Sequence, residues 1–185
     1  MSESLEDRIG RLEDRAAIQE LAVLYGFIMD ERDEEGIREI FTEDATLRSE
    51  DGVFAANGLE EIVTTYLGRF AQLGPTNHFS HGHVVRFDPA DRDRATGLLA
   101  SHAEVDRNGT AMQVALRYKD TYRRVDGRWR FADRLMGYMY YMPLAEMATG
   151  LGDRNSVRAY GDHRPADWPE VLYRESGNAF LKNYR

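Results

Sequence analysis

The chain has no cysteine. Disulfides, thiol catalysis and cysteine-ligated metal are therefore excluded. A reducing compartment fits, and the cytoplasm is the expected location. There is no block of Lys or Arg, and net charge is −8. Nucleic acid is accordingly not an expected partner. No apolar run approaches the ~20 residues that a membrane helix needs. The opening residues Met1-Ser2-Glu3-Ser4 are acidic and precede no apolar h-region, so no signal peptide is expected. Internal repeats and low-complexity segments are also missing.

What is present fits one domain. A chain of 185 residues buries about 70% of its unfolded surface, enough for a core and an internal pocket. The first landmark is Leu21–Asp30, nine residues without a charge that end at an aspartate. Asp14 reads as an N-cap for the helix leading into it, and Ala17, Leu21, Leu24 and Ile28 keep helical spacing. A helix apolar nearly all round is expected to be buried on more than one side. A carboxylate at its end is either turned to water beside Glu31, Arg32 and Asp33, or paired, or shifted in pKa.

A shorter helical segment over 5–13 precedes this helix, with Leu5, Ile9 and Leu12 on one side. Asp33 caps a short helix carrying Ile37, Ile40 and Phe41. Thr42-Glu43-Asp44 reads as a turn. Asp51-Gly52 marks a hairpin between 45–48 and 53–56. Asn57 reads as the cap of a third helix, with Ile62, Tyr66, Leu67 and Phe70 apolar, stopped by Gly74-Pro75. The period then changes to two, with strands over 78–87, 95–106, 110–124 and 128–141. Helices followed by a long antiparallel meander predict an α+β fold, with the helices on one face of a strongly curved sheet. Beyond about residue 146, prolines, glycines and Tyr160, Trp168, Tyr173, Phe180 and Tyr184 predict an ordered extension. It would dock on the main domain or on a neighbouring subunit.

Asn77–His83 holds three of the five histidines. Strand alternation puts His81 and His83 on one face and His78 on the other. A zinc site would need three converging ligands, so no metal is expected. The alternatives are a partly exposed strand start, or one histidine paired with a carboxylate as a general base. His102 shares a face with Leu98, Ala100 and Glu104. It is either a hydrogen-bonded interior histidine or part of a pocket. Arg134 falls among Ala132, Met136, Tyr138 and Tyr140, as a solvated edge or as a cation beside a leaving group. Asp133 falls with Trp129, Phe131 and Leu135, which requires a bulge or an inter-subunit contact. Tyr25 and Asp30 project about 140° apart on a straight helix, so sharing a pocket requires one that wraps the helix end, or a bend at Gly26. Met112, Met136 and Tyr138 suggest walls for an apolar, cyclic substrate.

Two segments then resemble one family. Leu12-Glu13-Asp14-Arg15-Ala16-Ala17-Ile18-Gln19-Glu20-Leu21, with Tyr25 and Asp30, is similar to the opening of the SnoaL-like branch of the nuclear transport factor 2-like superfamily. Tyr118–Phe131, with Asp126-Gly127 between its strands, resembles that branch's penultimate hairpin. The resemblance spans about residues 5–146, with 147–185 as an extension. It is closest to lyases of the hexachlorocyclohexane dehydrochlorinase and scytalone dehydratase type.

The resemblance implies a conical α+β barrel and a cofactor-free lyase, commonly trimeric, with a histidine base oriented by a helix-end aspartate. It puts Asp30 on the aspartate, His78 on the histidine and Arg134 on the dehydrochlorinase arginine. Tyr25 stands where the dehydrochlorinase has lysine and the dehydratases use a tyrosine, which favours loss of water over dehalogenation. His102 resembles a second dehydratase histidine. The expected function is thus dehydratase-type elimination by His78, Asp30, Tyr25 and Arg134, with substrate contacts from His102, Met112, Met136 and Tyr138. A proton-transferring isomerase or polyketide cyclase, and a non-catalytic ligand-binding module, are the alternatives.

Overall fold

The computed structural model describes residues 4–169, 172 and 177–185. Tyr173 and the opening residues Met1–Glu3 lie outside the described residues. The chain runs α1 (Leu5–Asp30), α2 (Glu34–Ile40), β1 (Phe41–Ser49), β2 (Ala55–Asn57), α3 (Leu59–Phe70), β3 (Leu73–Phe87), β4 (Arg94–Arg107), β5 (Thr110–Val125), β6 (Arg128–Pro143) and α4 (Met147–Gly150). The strands form one sheet in the order β2-β1-β6-β5-β4-β3. β1 and β6 run parallel and the other neighbours antiparallel. The architecture is α+β. The two end strands do not pair with each other, so the curved sheet is an open cone rather than a closed barrel.

The helical spacing of the first thirty residues produces one helix, not two. Ser4 is the N-cap, its Oγ accepting from the Asp7 N–H. Asp14 lies in mid-helix and accepts from Trp129 Nε1 at 3.0 Å and from Arg124. It ties α1 to the sheet instead of starting a helix. Nor is α1 buried all round. Ile18, Leu21, Ala22, Tyr25, Ile28 and Met29 face the sheet, while Val23, Leu24 and Phe27 are exposed, Phe27 by 64%. An apolar run describes composition, and only the placement of the sheet decides which side is covered.

Three further boundaries move. Thr42–Asp44 belongs to β1, because the parallel pairing with β6 holds it extended, with a register shift between Phe41 and Thr46. The residue ahead of α3 is Gly58 at φ 90° rather than Asn57, which pairs with Thr46. α3 ends at Phe70, and Gly74-Pro75 lies inside β3 at a register shift rather than as a helix stop. Asp33 does cap α2, accepting from Gly36 N–H at 2.9 Å. At Asp126-Gly127 both residues adopt positive φ, as a two-residue hairpin of the primed type requires.

Two bulges redirect side chains. A register shift between Ser80 and His83 returns His83 to the face used by His78, where it meets Tyr122 Oη at 3.1 Å. His81 stays on the other face, against His102. A shift opposite Thr121 and Tyr122 places Trp129, Phe131, Arg134, Met136 and Tyr138 all in the core. Trp129 and Phe131 therefore do not point away from Arg134, and they form no outer interface. Asp133 turns outward and pairs with Arg48 at 2.8 Å and with Thr46.

β1 covers β6 only from Phe131 to Met136. Beyond that, the C-terminal segment takes over the open edge. Tyr141 donates to Ser156 O and accepts from Arg158 N–H, and Asp167 N–H donates to Tyr138 O at 2.7 Å. The Tyr184 hydroxyl reaches Gly97 O. No helix among the described residues is long and apolar enough to cross a membrane.

Candidate active site

The site grows from the packing of α1 along β3. Ala22, Gly26 and Asp30 recur every four residues on one helical stripe, and Ser80, His78 and Thr76 every two residues on one strand face. The two spacings match in length, about 6 Å per step on each element. Ser80 Oγ donates to Ala22 O at 3.2 Å. His78 Nδ1 lies 2.6 Å from Asp30 Oδ1. Thr76 Oγ1 donates to Asp30 Oδ1 at 2.7 Å, and the His78 backbone N–H to Asp30 Oδ2 at 2.8 Å.

Gly26 is what allows the approach. A Cβ built there would stand 3.1 Å from His78 Cβ. α1 continues unbroken through Gly26, so the glycine makes room for a neighbour instead of bending the helix. Gly26→Ala should gain helix propensity of about 1 kcal/mol yet push His78 outward. We expect unchanged or raised thermal stability with kcat/KM several-fold lower, and Gly26→Val should lower both. Thermal melts and steady-state kinetics check this, and full activity in the valine variant would contradict it.

Asp30 has three donors. Burial raises its pKa, but the hydrogen bonds from the His78 ring, Thr76 and the His78 N–H outweigh burial and hold it below its ordinary value. It stays an anion at neutral pH. That fixes the imidazole with Nδ1–H toward Asp30 and leaves Nε2 as the free basic nitrogen. Arg32 secures the arrangement from outside. At φ 58° it ends α1 in the left-handed conformation, and its guanidinium donates to Met29 O, Gly74 O and Thr76 Oγ1 at 2.6–3.0 Å.

His78 forms part of the wall of a small cleft that opens to solvent. Tyr25, Tyr66, Phe70, Leu116, Tyr118 and Met136 supply most of the rest, with Arg32, Arg69 and Thr76 at polar positions. The Tyr25 and Tyr66 hydroxyls are 2.8 Å apart. Burial raises the Tyr66 and Tyr118 phenols well above their ordinary value, so both remain protonated donors. Tyr25 meets the His78 ring edge-on at 6.4 Å. Hence Tyr25 and Asp30, though on different sides of α1, both approach one imidazole.

The other sequence candidates divide. Met136 is on the cleft wall. Tyr138 is buried beside it and accepts from Arg69 at 2.9 Å. Met112 lines a separate hollow with Arg107 and Tyr160. His102 is on the outer face against His81 and Tyr140, because strand alternation puts it opposite buried Ser101 and Ala103. Arg134 is neither an edge residue nor part of the cleft wall. It is 0% exposed, bonded through Nε and Nη2 to Asp120 at 2.9 and 2.8 Å. Its guanidinium carbon lies about 4 Å from the ring centres of Tyr25, Tyr118 and Phe131. Burial opposes its charge, but Asp120 more than compensates and keeps it protonated. Arg69, Tyr66 and Thr76 were not singled out from the sequence. Each has an ordinary structural role at its own position, and they meet only in the folded cleft. Among the described residues there is no cluster of metal-ligand side chains.

The model of the SnoaL-like domain matches residues 10–135. The solved structure of LinA is 25% identical, covering 75% of this chain and 94% of LinA, with a TM-score of 0.67. Hexachlorocyclohexane dehydrochlorinase LinA-type3 from Novosphingobium barchaimii LL02 is 23% identical over 75% of this chain and 94% of its own, at 0.66. A Novosphingobium aromaticivorans protein provisionally named a scytalone dehydratase is 21% identical over 72% and 89%, at 0.66. The last two likenesses speak for the fold alone. No curated protein sequence matches the chain.

Proposed function

Because this chain belongs to the SnoaL-like domain family, and one wall of its cleft holds a histidine against a carboxylate, we propose that it is a cofactor-independent lyase removing water from a small cyclic substrate. The contact that carries this reading is His78 Nδ1 to Asp30 Oδ1 at 2.6 Å, with Nε2 left for the substrate.

In this reading His78 Nε2 takes a proton from a carbon next to an activating carbonyl. The electron pair of that C–H bond forms the new double bond as the C–O bond of a β-hydroxyl breaks. Asp30 stabilises the imidazolium that results. The hydrogen-bonded hydroxyls of Tyr25 and Tyr66 have one proton free to donate to an oxygen in the cleft. That hydrogen bond meets the developing charge on the carbonyl, while the departing hydroxyl takes its proton from the imidazolium or through solvent and leaves as water, which resets His78. Arg134 acts from beneath, holding the Tyr25 and Tyr118 rings in place. The tyrosine, leucine and methionine walls favour an apolar ring as the substrate.

The test is product mass. Incubation with cyclic β-hydroxyketones should give a product lighter by one water, and His78→Ala should slow its formation by about 10²–10⁴-fold. A product of unchanged mass would make the protein an isomerase or cyclase using the same proton abstraction. Full biological activity in both the His78→Ala and Asp30→Asn variants would leave a non-catalytic binding module.

We also propose a homo-oligomer, a trimer or otherwise a dimer. Leu5, Ile9, Leu12, Val23 and Phe27 form an exposed apolar strip along α1, more than a lone helix face usually leaves to water. Light scattering should give a mass two or three times that of one chain at micromolar concentration, and a monomer would remove the proposal.

A further inference from the structure

Resting on the functional reading above, we infer that the substrate carries a carboxylate and that Arg69 is the residue that anchors it. Arg69 is in the last turn of α3 and forms part of two adjoining hollows. One is the His78 cleft. The other is lined by Val53, Phe54, Thr65, Gly68, Gln72, Arg107, Ala159 and Tyr160. Arg69 thus stands where the reaction cleft meets its outer extension.

Neither hollow has an aspartate or glutamate in its wall. Arg69 takes part in none of the ion pairs found among the described residues. Its neutral partners are the Tyr138 hydroxyl, at 2.9 Å from Nη2, and the Phe54 ring, at 4.8 Å. A guanidinium has five N–H donors in a planar fork, and Tyr138 takes one. None of the rest is a buried nitrogen without a partner, and Arg69 is only half-buried, so solvent in the hollows can reach it. Arg32 adds a second positive charge to the cleft wall, with its own donors committed to Met29, Gly74 and Thr76. Arg107 lines the far side of the outer hollow, bonded to Gln72 Oε1. Asp30, the carboxylate nearest the base, is enclosed by Thr76 and His78 and is not on the wall.

A wall with guanidinium charge and no carboxylate, in a chain of net charge −8, is selective for an anion. The fork geometry fits a planar carboxylate through two parallel N–H···O bonds. The apolar ring then extends inward past Tyr66 and Met136 to His78. The anchor also orients the ring, since the acid group is held at the mouth while the reacting carbon faces Nε2.

The experiment uses benzoate and 1-naphthoate as probes, each against its primary amide, with binding measured by titration calorimetry on the full chain. Each acid should bind more tightly than its amide by about 10- to 100-fold, the worth of a hydrogen bond to a charged partner. Arg69→Gln should erase that ratio, weakening the acid far more than the amide, and Arg69→Lys should retain part of it. Tyr138→Phe removes Arg69's internal partner without removing its charge, and should preserve the ratio. This variant keeps the test sound if Arg69→Gln folds poorly. Equal binding of acid and amide, or no binding of either acid up to its solubility, would overturn the proposal. The water-loss assay is scored separately. Elimination without acid preference leaves the dyad reading and removes the anchor, while acid preference with no turnover of any hydroxyketone does the reverse.

Discussion

His78→Ala should lower kcat/KM by about 10²–10⁴-fold, the usual worth of a general base, with little effect on folding. Asp30→Asn should be nearly as harmful for a reason visible in the geometry. Asp30 accepts from the His78 ring, the His78 N–H and the Thr76 hydroxyl. An asparagine must turn its NH₂ toward at least one of those donors. If it faces the imidazole, Nδ1 becomes the acceptor and the proton moves to Nε2, which disables the base. The double variant should then be little worse than His78→Ala alone, because residues acting as one unit do not add. Multiplying losses would show that they work independently.

The pH profile follows from the same contacts. Since its hydrogen bonds hold Asp30 below its ordinary carboxylate value of 3.8, Asp30 stays ionised across the working range. One ionisation of the free enzyme should therefore shape the acid limb of kcat/KM, with activity rising as pH rises, because a general base acts only in its unprotonated form. A lowered folded-state pKa also means that Asp30 contributes stability above about pH 4, lost as pH falls through its folded value. Asp30→Asn should flatten that part of the acid-denaturation curve, and a wild-type curve with no such difference would contradict the assignment.

The second large effect is structural. Arg134→Met should destabilise the fold by about 3–5 kcal/mol, the cost of leaving one member of a buried ion pair alone. Asp120 is 3% exposed and, among the described residues, would keep only the Tyr122 hydroxyl, 2.8 Å away, as a side-chain partner. At about 2–4 °C per kcal/mol for a chain of this size, the melting temperature should drop by roughly 6–20 °C. The paired change Arg134→Met with Asp120→Leu should recover most of the loss, since an apolar pair of similar volume replaces the ion pair at little net cost. Urea unfolding of the four proteins measures the coupling. A single variant losing under about 1 kcal/mol would show that the pair does not hold the floor of the cleft. Recovered stability without recovered activity would mean that the tyrosines above need the charge beneath them as well as the volume.

The sequence by itself determined the elements that depend on neighbouring residues. Helical spacing across Leu5–Asp30, period-two alternation across the four long strands and the Asp126-Gly127 turn are local patterns, and they suffice for an α+β meander. Asp30 stood out because a carboxylate ends an uncharged run, and resemblance placed His78 beside it. Tertiary structure decided what depends on separated segments. The bulges after Ser80 and opposite Thr121 reverse which side chains face inward, and nothing local announces them. They moved His83 to the face used by His78, and Trp129 and Phe131 into the core with Arg134, and strand alternation left His102 outside. Gly26 reads as a place for the helix to bend until His78 is found against it. Arg69 reads as a surface cation of the last turn of α3 until the cleft proves to hold no carboxylate to pair with it. Periodicity reports a residue's own element. Its partners depend on how the sheet curves, and that curvature is set jointly by strands far apart in the chain.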